Sequence, residues 1–131
     1  MPADAATIRS TIEAYCAAFT AGDRDAYVGQ FADDAWIEDP VGSPRLAGHE
    51  AIGGFFDQSR SLAETIELRQ TGPVRVAAAG GEAAFPMQAR PVIAGDTYCV
   101  DIIDVMTFDD DGKITTMRAF WDPAEMRPAD D

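Results

Sequence analysis

The chain has 131 residues, of which 10 are basic and 23 are acidic, so its formal net charge at pH 7 is −13. Nucleic acid and anionic membrane surfaces are therefore excluded as favourable partners, because both would be repelled. A chain of this length and ordinary hydrophobic content (47%) is expected to form a single domain over 1–131 around one core.

Few residues are available for redox or metal chemistry. Cys16 and Cys99 suggest no disulfide framework, and no secretory signal precedes them. No apolar run approaches the roughly 20 residues that span a bilayer. We therefore expect a cytoplasmic protein. His49 is the single histidine, which excludes His-rich zinc sites and most Ser-His-Asp arrangements, and no metal site is predicted.

The first predicted element is a helix that begins at about Asp4 and ends before Gly22. Its apolar residues recur every three or four positions and form one stripe, which consists of Ile8, Ile12, Tyr15 and Phe19. A tyrosine that faces a core needs a partner for its hydroxyl. Tyr15 is thus either a core residue bonded to a backbone carbonyl or a functional group.

Two further helices are predicted in the first half of the chain. Asp23 is a candidate cap for a short helix that runs to about Phe31. Its predicted buried residues are Tyr27, Val28 and Phe31. The third helix covers about 48–57 and turns Ile52, Phe55 and Phe56 inward.

A short strand is predicted between the second and third helices, over 36–39. Pro40 ends it, because the residue before a proline favours extended backbone. Ile37 and Asp39 share one face of this strand. Asp39 is therefore either a solvated turn residue or a carboxylate held beside apolar neighbours.

From about residue 64 the pattern changes to strands, over about 65–70, 74–78, 83–93, 98–108 and 113–121. Glycine and aspartate turns separate them, and the tail after residue 121 is expected to fray. Three helices followed by an antiparallel meander predict an α+β domain, with the helices packed on one face of a curved sheet. Such a cone contains a pocket if side chains do not fill it.

The strand over 98–108 places one carboxylate among apolar residues. Alternation puts Asp104 on the same face as Tyr98, Val100, Ile102, Met106 and Phe108. A lone carboxylate on that face must find a partner or stay protonated, which is unusual for a structural residue and useful for a catalytic one. Asp101 falls on the opposite face.

Several segments occur in one order over nearly the whole chain. They are Tyr15 with Ala21-Gly-Asp23, Phe31-Ala-Asp-Asp-Ala35, Glu38-Asp-Pro-Val-Gly42, Thr71-Gly-Pro-Val-Arg75, Asp101-Ile-Ile-Asp-Val-Met106 and Met117-Arg-Ala-Phe-Trp121. Together they resemble the Δ5-3-ketosteroid isomerase family of the NTF2-like superfamily. The first two segments indicate only the fold. The Glu-Asp-Pro motif, combined with Asp104 and Tyr15, is much more specific.

This resemblance implies a cone-shaped fold, a homodimer packed through the outer sheet faces, an apolar steroid pocket and no cofactor. It implies that Asp39 is the general base, Tyr15 the phenol of the oxyanion hole and Asp104 its protonated carboxylic acid. The implied pocket walls are Phe55, Val74, Phe85, Met87, Met106, Met117 and Trp121. Each wall residue is equally compatible with plain core, and for Val74 the core interpretation is favoured.

Two positions depart from the family pattern. These positions are Phe31 and Phe56. Some family members have tyrosines there, and those tyrosines hydrogen-bond the catalytic phenol. We also predict that Phe31 and Phe56 are substrate-binding residues. Without those hydroxyls, Tyr15 is expected to be a weaker or less fixed donor.

The leading functional hypothesis is isomerisation of 3-oxo-Δ5-steroids to 3-oxo-Δ4-steroids by intramolecular proton transfer. An NTF2-like polyketide cyclase or dehydratase is a second hypothesis, although histidines or a different carboxylate arrangement would then be expected. A third is a non-catalytic ligand-binding or dimerisation module, because fold alone does not settle function. Cys99, Ile103 and Val105 form the predicted partner surface.

Overall fold

A computed structural model describes residues 1–129 of the chain. The helices are α1 (Ala5–Ala21), α2 (Arg24–Val28) and α3 (His49–Ser61). The strands are β1 (Phe31–Glu38), β2 (Leu46–Ala47), β3 (Thr65–Gln70), β4 (Arg75–Val76), β5 (Glu82–Ile93), β6 (Asp96–Phe108), β7 (Ile114–Phe120) and β8 (Arg127–Pro128). A short 3-10 helix, Pro123–Glu125, precedes β8.

Side-chain caps fix where the first two helices begin. The Asp4 carboxylate accepts a hydrogen bond from the Thr7 backbone N–H at 2.9 Å, and Asp23 caps α2 in the same way. Gly22 ends α1 in the left-handed conformation, with φ of 73°. The predicted bounds of α1 are therefore confirmed.

The predicted extent of the second helix is wrong. Helix α2 ends at Val28, and Phe31 opens strand β1, where it pairs with Ile114 of β7. The strand extends upstream of the predicted residues 36–39 because parallel pairing with a distant strand, invisible in local sequence, holds it there. Helix α3 runs to Ser61, beyond the predicted end.

The sheet confirms the predicted α+β architecture. Its strands lie in the order β2-β1-β7-β6-β5-β3, with β4 paired to β5 and β8 paired to β6. Among the strands of residues 1–129, every pairing is antiparallel except the parallel pair β1–β7. Helices α1 and α3 pack against β3 and β1 respectively. The core lies between the helices and the inner face of the sheet.

The alternation predicted for the long central strand is confirmed. Val100, Ile102, Asp104 and Met106 of β6 are buried, whereas Asp101 and Ile103 point outward and are exposed. Within residues 1–129, no helix is both long and apolar enough to cross a bilayer.

The C-terminal segment is more ordered than predicted. Residues 127–128 form β8, which pairs with Tyr98 and Cys99 of β6. Arg127 also forms an ion pair with Asp101, with 3.2 Å between Nη1 and Oδ2. Backbone pairing and this ion pair hold the segment through Ala129, so the expectation of a frayed tail is wrong there. Residues 130–131 lie outside the described part.

Candidate active site

A cavity of about 270 Å³ lies between the helices and the inner face of the sheet. Its wall is almost entirely apolar, and three exposed side chains, Leu62, Ile93 and Met126, mark its mouth. The lining residues are Tyr15, Phe19, Asp39, Phe55, Ser59, Leu62, Ala63, Ile66, Leu68, Met87, Ala89, Pro91, Ile93, Val100, Ile102, Trp121 and Met126. A few polar groups in an apolar cavity are typical of a small-molecule site.

Asp39 directly follows β1 and brings a carboxylate to the cavity wall. The indole Nε1–H of Trp121, at the end of β7, donates to Asp39 Oδ1 at 2.6 Å. Asp39 is partly exposed through the cavity, yet apolar protein surrounds its carboxyl group. Burial raises the pKa of Asp39 from 3.8 to about 6, and the Trp121 bond opposes the rise because it favours the charged form.

Asp104 lies in the middle of β6, between Phe85 of β5 and Ala119 of β7. It is fully buried, and within residues 1–129 neither carboxyl oxygen has a hydrogen bond of ordinary geometry. Burial first, and then the charge of Asp39, raise the pKa of Asp104 well above its usual value. The Tyr15 hydroxyl opposes this rise, so it is close without completing a well-formed bond. Burial thus favours the protonated form of Asp104.

Tyr15 projects from α1 and lines the same cavity as Asp39. Burial is the largest cause that raises the pKa of its phenol well above 10, and Tyr27, Asp104 and Asp39 add to the rise. The phenol therefore keeps its proton. Of the three residues that the sequence singled out, Tyr15 and Asp39 line the cavity, whereas Asp104 does not line it and is close enough to both to interact with them electrostatically.

The structure separates the predicted wall residues into two groups. Phe55, Met87 and Trp121 line the cavity beside Tyr15 and Asp39. The other predicted positions are buried in the core and do not line this cavity; they are Phe31, Phe56, Val74, Phe85, Met106 and Met117. An inward-facing apolar residue fits either place, and only the three-dimensional packing distinguishes them.

Several lining residues were not predicted. Phe19 belongs to the apolar stripe of α1, and Ile66 and Leu68 alternate along β3. The inward orientation of these three residues could therefore have been predicted from the periodicity of the sequence. Leu62 and Met126 follow the ends of α3 and the 3-10 helix, where no periodicity signals a wall position. Ser59 adds one hydroxyl on α3.

The donor set of the site suits proton transfer. A carboxylate with pKa near 6 can accept a proton at neutral pH and return it, while neutral O–H groups can stabilise a developing oxyanion. Within the described residues, no group of three or more His, Cys, Asp or Glu side chains could hold a metal ion.

Comparisons with known proteins agree with this architecture. Residues 12–117 match the family model of the SnoaL-like domain. The chain is 37% identical over 121 residues to a steroid Delta-isomerase of Nocardioides simplex, covering 92% of this chain and 94% of that protein. Among solved structures, the epoxide hydrolase/cyclase-like enzyme SalBIII, described in pyran ring formation in the polyether salinomycin, superposes with a TM-score of 0.86. That match has 25% identity and covers 96% of this chain and 98% of SalBIII. The chain therefore belongs to the SnoaL-like, NTF2-like proteins and, among them, to the ketosteroid isomerase family.

Proposed function

We propose that the protein converts 3-oxo-Δ5-steroids to 3-oxo-Δ4-steroids, with Asp39 as the base and with Tyr15 and protonated Asp104 as donors to the ketone oxygen. One observation carries this proposal: two carboxyl groups, Asp39 in the wall of the apolar cavity and Asp104 fully buried behind that wall, occupy different electrostatic environments. Asp39 reaches the cavity and has a pKa of about 6, whereas unpartnered Asp104 has a pKa raised well above the usual value. Divergent pKa values of this kind assign a base and an acid.

Asp39 would move one proton between two carbons of the substrate. It removes a proton from the carbon between the ketone and the double bond, which gives a dienolate and a neutral Asp39. It then returns the same proton to the far carbon of the former double bond, so the reaction is balanced without a co-reactant. A pKa of about 6 favours this shuttle, because the base is ionised at pH 7 and its conjugate acid still releases the proton readily.

Tyr15 and Asp104 would stabilise the negative charge that develops on the ketone oxygen. Donors fixed before the reaction need no reorganisation when the charge appears, and they act strongly where water is excluded. Full burial keeps the Asp104 proton in place. Ketosteroid isomerases are the known example of a carboxylic acid kept neutral for this purpose, so this role is taken from the family.

The rest of the cavity would hold the steroid skeleton. Its walls away from Asp39 and Tyr15 are aliphatic or aromatic, apart from Ser59 and the Trp121 N–H that Asp39 engages. Apolar burial orients a rigid hydrocarbon with little loss of ligand entropy. The four-ring skeleton would therefore extend from Tyr15 and Asp39 towards the mouth at Leu62 and Met126.

The test is ultraviolet absorbance after the protein is mixed with 5-androstene-3,17-dione. We expect a conjugated-enone band to grow, and we expect Asp39→Asn to slow its growth by about 10²–10⁴-fold while steroid binding persists, because this is the rate enhancement that a positioned base supplies. Asp101→Asn is the matched control, since Asp101 lies on the outer face. A flat trace from folded wild-type protein, or full activity in Asp39→Asn, contradicts the proposal.

The likeness to SalBIII supports a second candidate, an acid–base catalysed ring closure on a polyketide-like substrate. The same two carboxyl groups could deprotonate an attacking hydroxyl and protonate an epoxide oxygen. Turnover of the steroid together with inertness towards epoxide substrates favours the isomerase, and the reverse favours the cyclase.

We also propose that the protein forms a homodimer through the outer face of the sheet. Ile103 of β6 and Phe120 of β7 pair across the sheet there, with 46% and 42% of their surfaces exposed. Val105 lies on the same face, half-buried. Cys99, which was predicted to join this surface, is 3% exposed because β8 of the same chain pairs over it.

A further inference from the structure

Tyr27 of α2 is a fully buried tyrosine that the mechanism above does not use. Its ring lies in the middle of an aromatic cluster. Ring centroids stand 5.3 Å away in Tyr15, 5.5 Å in Phe19, 5.4 Å in Phe31 and 5.1 Å in Phe56. A phenylalanine would make the same ring contacts. The hydroxyl therefore needs a separate explanation.

The Tyr27 hydroxyl is buried and, within residues 1–129, has no hydrogen bond of ordinary geometry. A buried hydroxyl without a partner destabilises the folded protein. The neighbouring polar group is the Tyr15 hydroxyl, whose hydrogen-bonding effect is the one influence that lowers the otherwise raised pKa of Tyr27. The rings of Tyr15 and Tyr27 pack at a centroid distance of 5.3 Å and an interplanar angle of 35°, and the Tyr15 hydroxyl is close enough to influence the Tyr27 phenol.

We propose that Tyr27 is a positioning residue whose O–H donates to the Tyr15 hydroxyl oxygen, so that the Tyr15 O–H is directed at the substrate ketone. The catalytic part of this inference rests on the proposed isomerase function. A phenol has one hydrogen to donate and lone pairs to accept with. Once the Tyr15 O–H donates a hydrogen bond to the substrate, the Tyr15 oxygen can only accept one, and among residues 1–129 the Tyr27 hydroxyl has no other hydrogen-bond partner.

The expected consequence is a better-fixed and stronger donor. Accepting one hydrogen bond polarises a hydroxyl and strengthens the bond that it donates. Phe31 and Phe56, which carry no hydroxyl, pack in a tilted arrangement against Tyr27 and hold its ring in place. Tyr15 was expected to be a weaker donor because Phe31 and Phe56 carry no hydroxyl. The Tyr27 hydroxyl on α2 thus compensates for those two missing hydroxyls.

The test is Tyr27→Phe, which removes one oxygen and keeps the ring. With 5-androstene-3,17-dione as substrate, we expect kcat to fall about tenfold while KM stays within twofold, because the lost interaction acts mainly in the transition state. The matched control is Tyr98→Phe, because Tyr98 lies on β6 outside the cavity lining. The control should change neither constant.

A spectroscopic measurement tests the hydroxyl contact without turnover. The chain has three tyrosines, so ¹³Cζ-tyrosine labelling gives three resonances that Tyr27→Phe and Tyr98→Phe assign. We expect the Tyr15 resonance to move in Tyr27→Phe and to stay fixed in Tyr98→Phe. In unsubstituted protein, the Tyr27 hydroxyl proton should show a nuclear Overhauser effect to the Tyr15 ring, which covers the case of a variant that does not fold.

The outcomes separate the two proposals. An unmoved Tyr15 resonance, or no Overhauser effect between the two residues, overturns the positioning role whatever the activity. A moved resonance in a protein that does not isomerise the steroid sustains the contact and refutes the proposed function. A moved resonance with kcat unchanged overturns the claim that the contact matters for catalysis.

Discussion

Asp101 and Asp104 lie three residues apart on β6 and have opposite environments. Asp101 is exposed on the outer face, where the Gln88 side-chain N–H donates to it at 2.9 Å and Arg127 forms an ion pair with it. These partners lower the pKa of Asp101. Asp104 is buried on the inner face, where no group in residues 1–129 bonds to it at ordinary hydrogen-bond geometry, and its pKa is raised well above the usual value.

The contrast shows that the face of the strand on which an aspartate lies determines which charge state of its carboxyl group is favoured. Facing outward, a carboxyl group is ionised and solvated, and neighbouring donors stabilise its charge. Facing inward, the charged form loses its solvation, so burial favours the neutral acid, which is the form that can donate a hydrogen bond. One strand thus carries a surface anion and a candidate oxyanion donor.

On β6, the largest effect is expected when the inner carboxyl group, that of Asp104, is removed. Asp104→Leu should lower kcat by about 10²–10³-fold, as loss of one oxyanion donor does elsewhere, and Asp104→Asn should lose less because its amide still donates. Asp101→Asn should leave kcat within twofold. Steady-state kinetics with 5-androstene-3,17-dione measure all three. If kcat fell equally in Asp104→Leu and Asp101→Asn, the proposed functional difference between the two faces would be contradicted.

A second prediction concerns stability and tests burial of the other inner carboxylate. The pKa of Asp39 is raised from 3.8 to about 6 on folding, so its contribution favours the folded state at low pH and is lost as pH rises through about 6. Asp39→Asn should therefore be more stable than the unsubstituted protein at pH 7–8 by up to about 3 kcal/mol. The gain should vanish below about pH 4.

Urea denaturation of the two proteins between pH 4 and 8 measures this difference. The pKa of Asp101 is shifted in the opposite direction, downward. Asp101 therefore stabilises the folded state most at higher pH, and this stabilisation is lost as the pH falls. Asp101→Asn is therefore the control, and it should be no more stable than the unsubstituted protein at pH 8. If the difference in the free energy of unfolding between Asp39→Asn and wild type does not depend on pH, the pKa assigned to Asp39 is contradicted.

The smallest effect is expected on the outer face, where self-association is proposed. Ile103→Glu places a charge beside exposed Phe120 and should weaken the dimer about tenfold or more, because burying an unpaired charge is costly. Sedimentation velocity at micromolar concentrations measures the change. Wild-type protein that sediments as a monomer there contradicts the proposed interface. Leu62→Glu, at the cavity mouth, is the control that should leave association unchanged.

The sequence by itself determined the features that depend on local periodicity and capping. Asp4 and Gly22 marked the ends of α1, the apolar stripe turned Tyr15 inward, and alternation along β6 placed Asp104 inside and Asp101 outside. These predictions succeed because the helical and strand periods are fixed by backbone geometry and need no knowledge of distant neighbours.

Only the tertiary structure decided which residues meet across the fold. It showed that Trp121 bonds to Asp39, that Met126 of the C-terminal segment borders the cavity, and that Tyr27 adjoins Tyr15. It also placed Phe85 in the core and Met87, two residues along β5, on the cavity wall. Periodicity gives the direction in which a side chain points, whereas packing between elements far apart in sequence determines what it contacts.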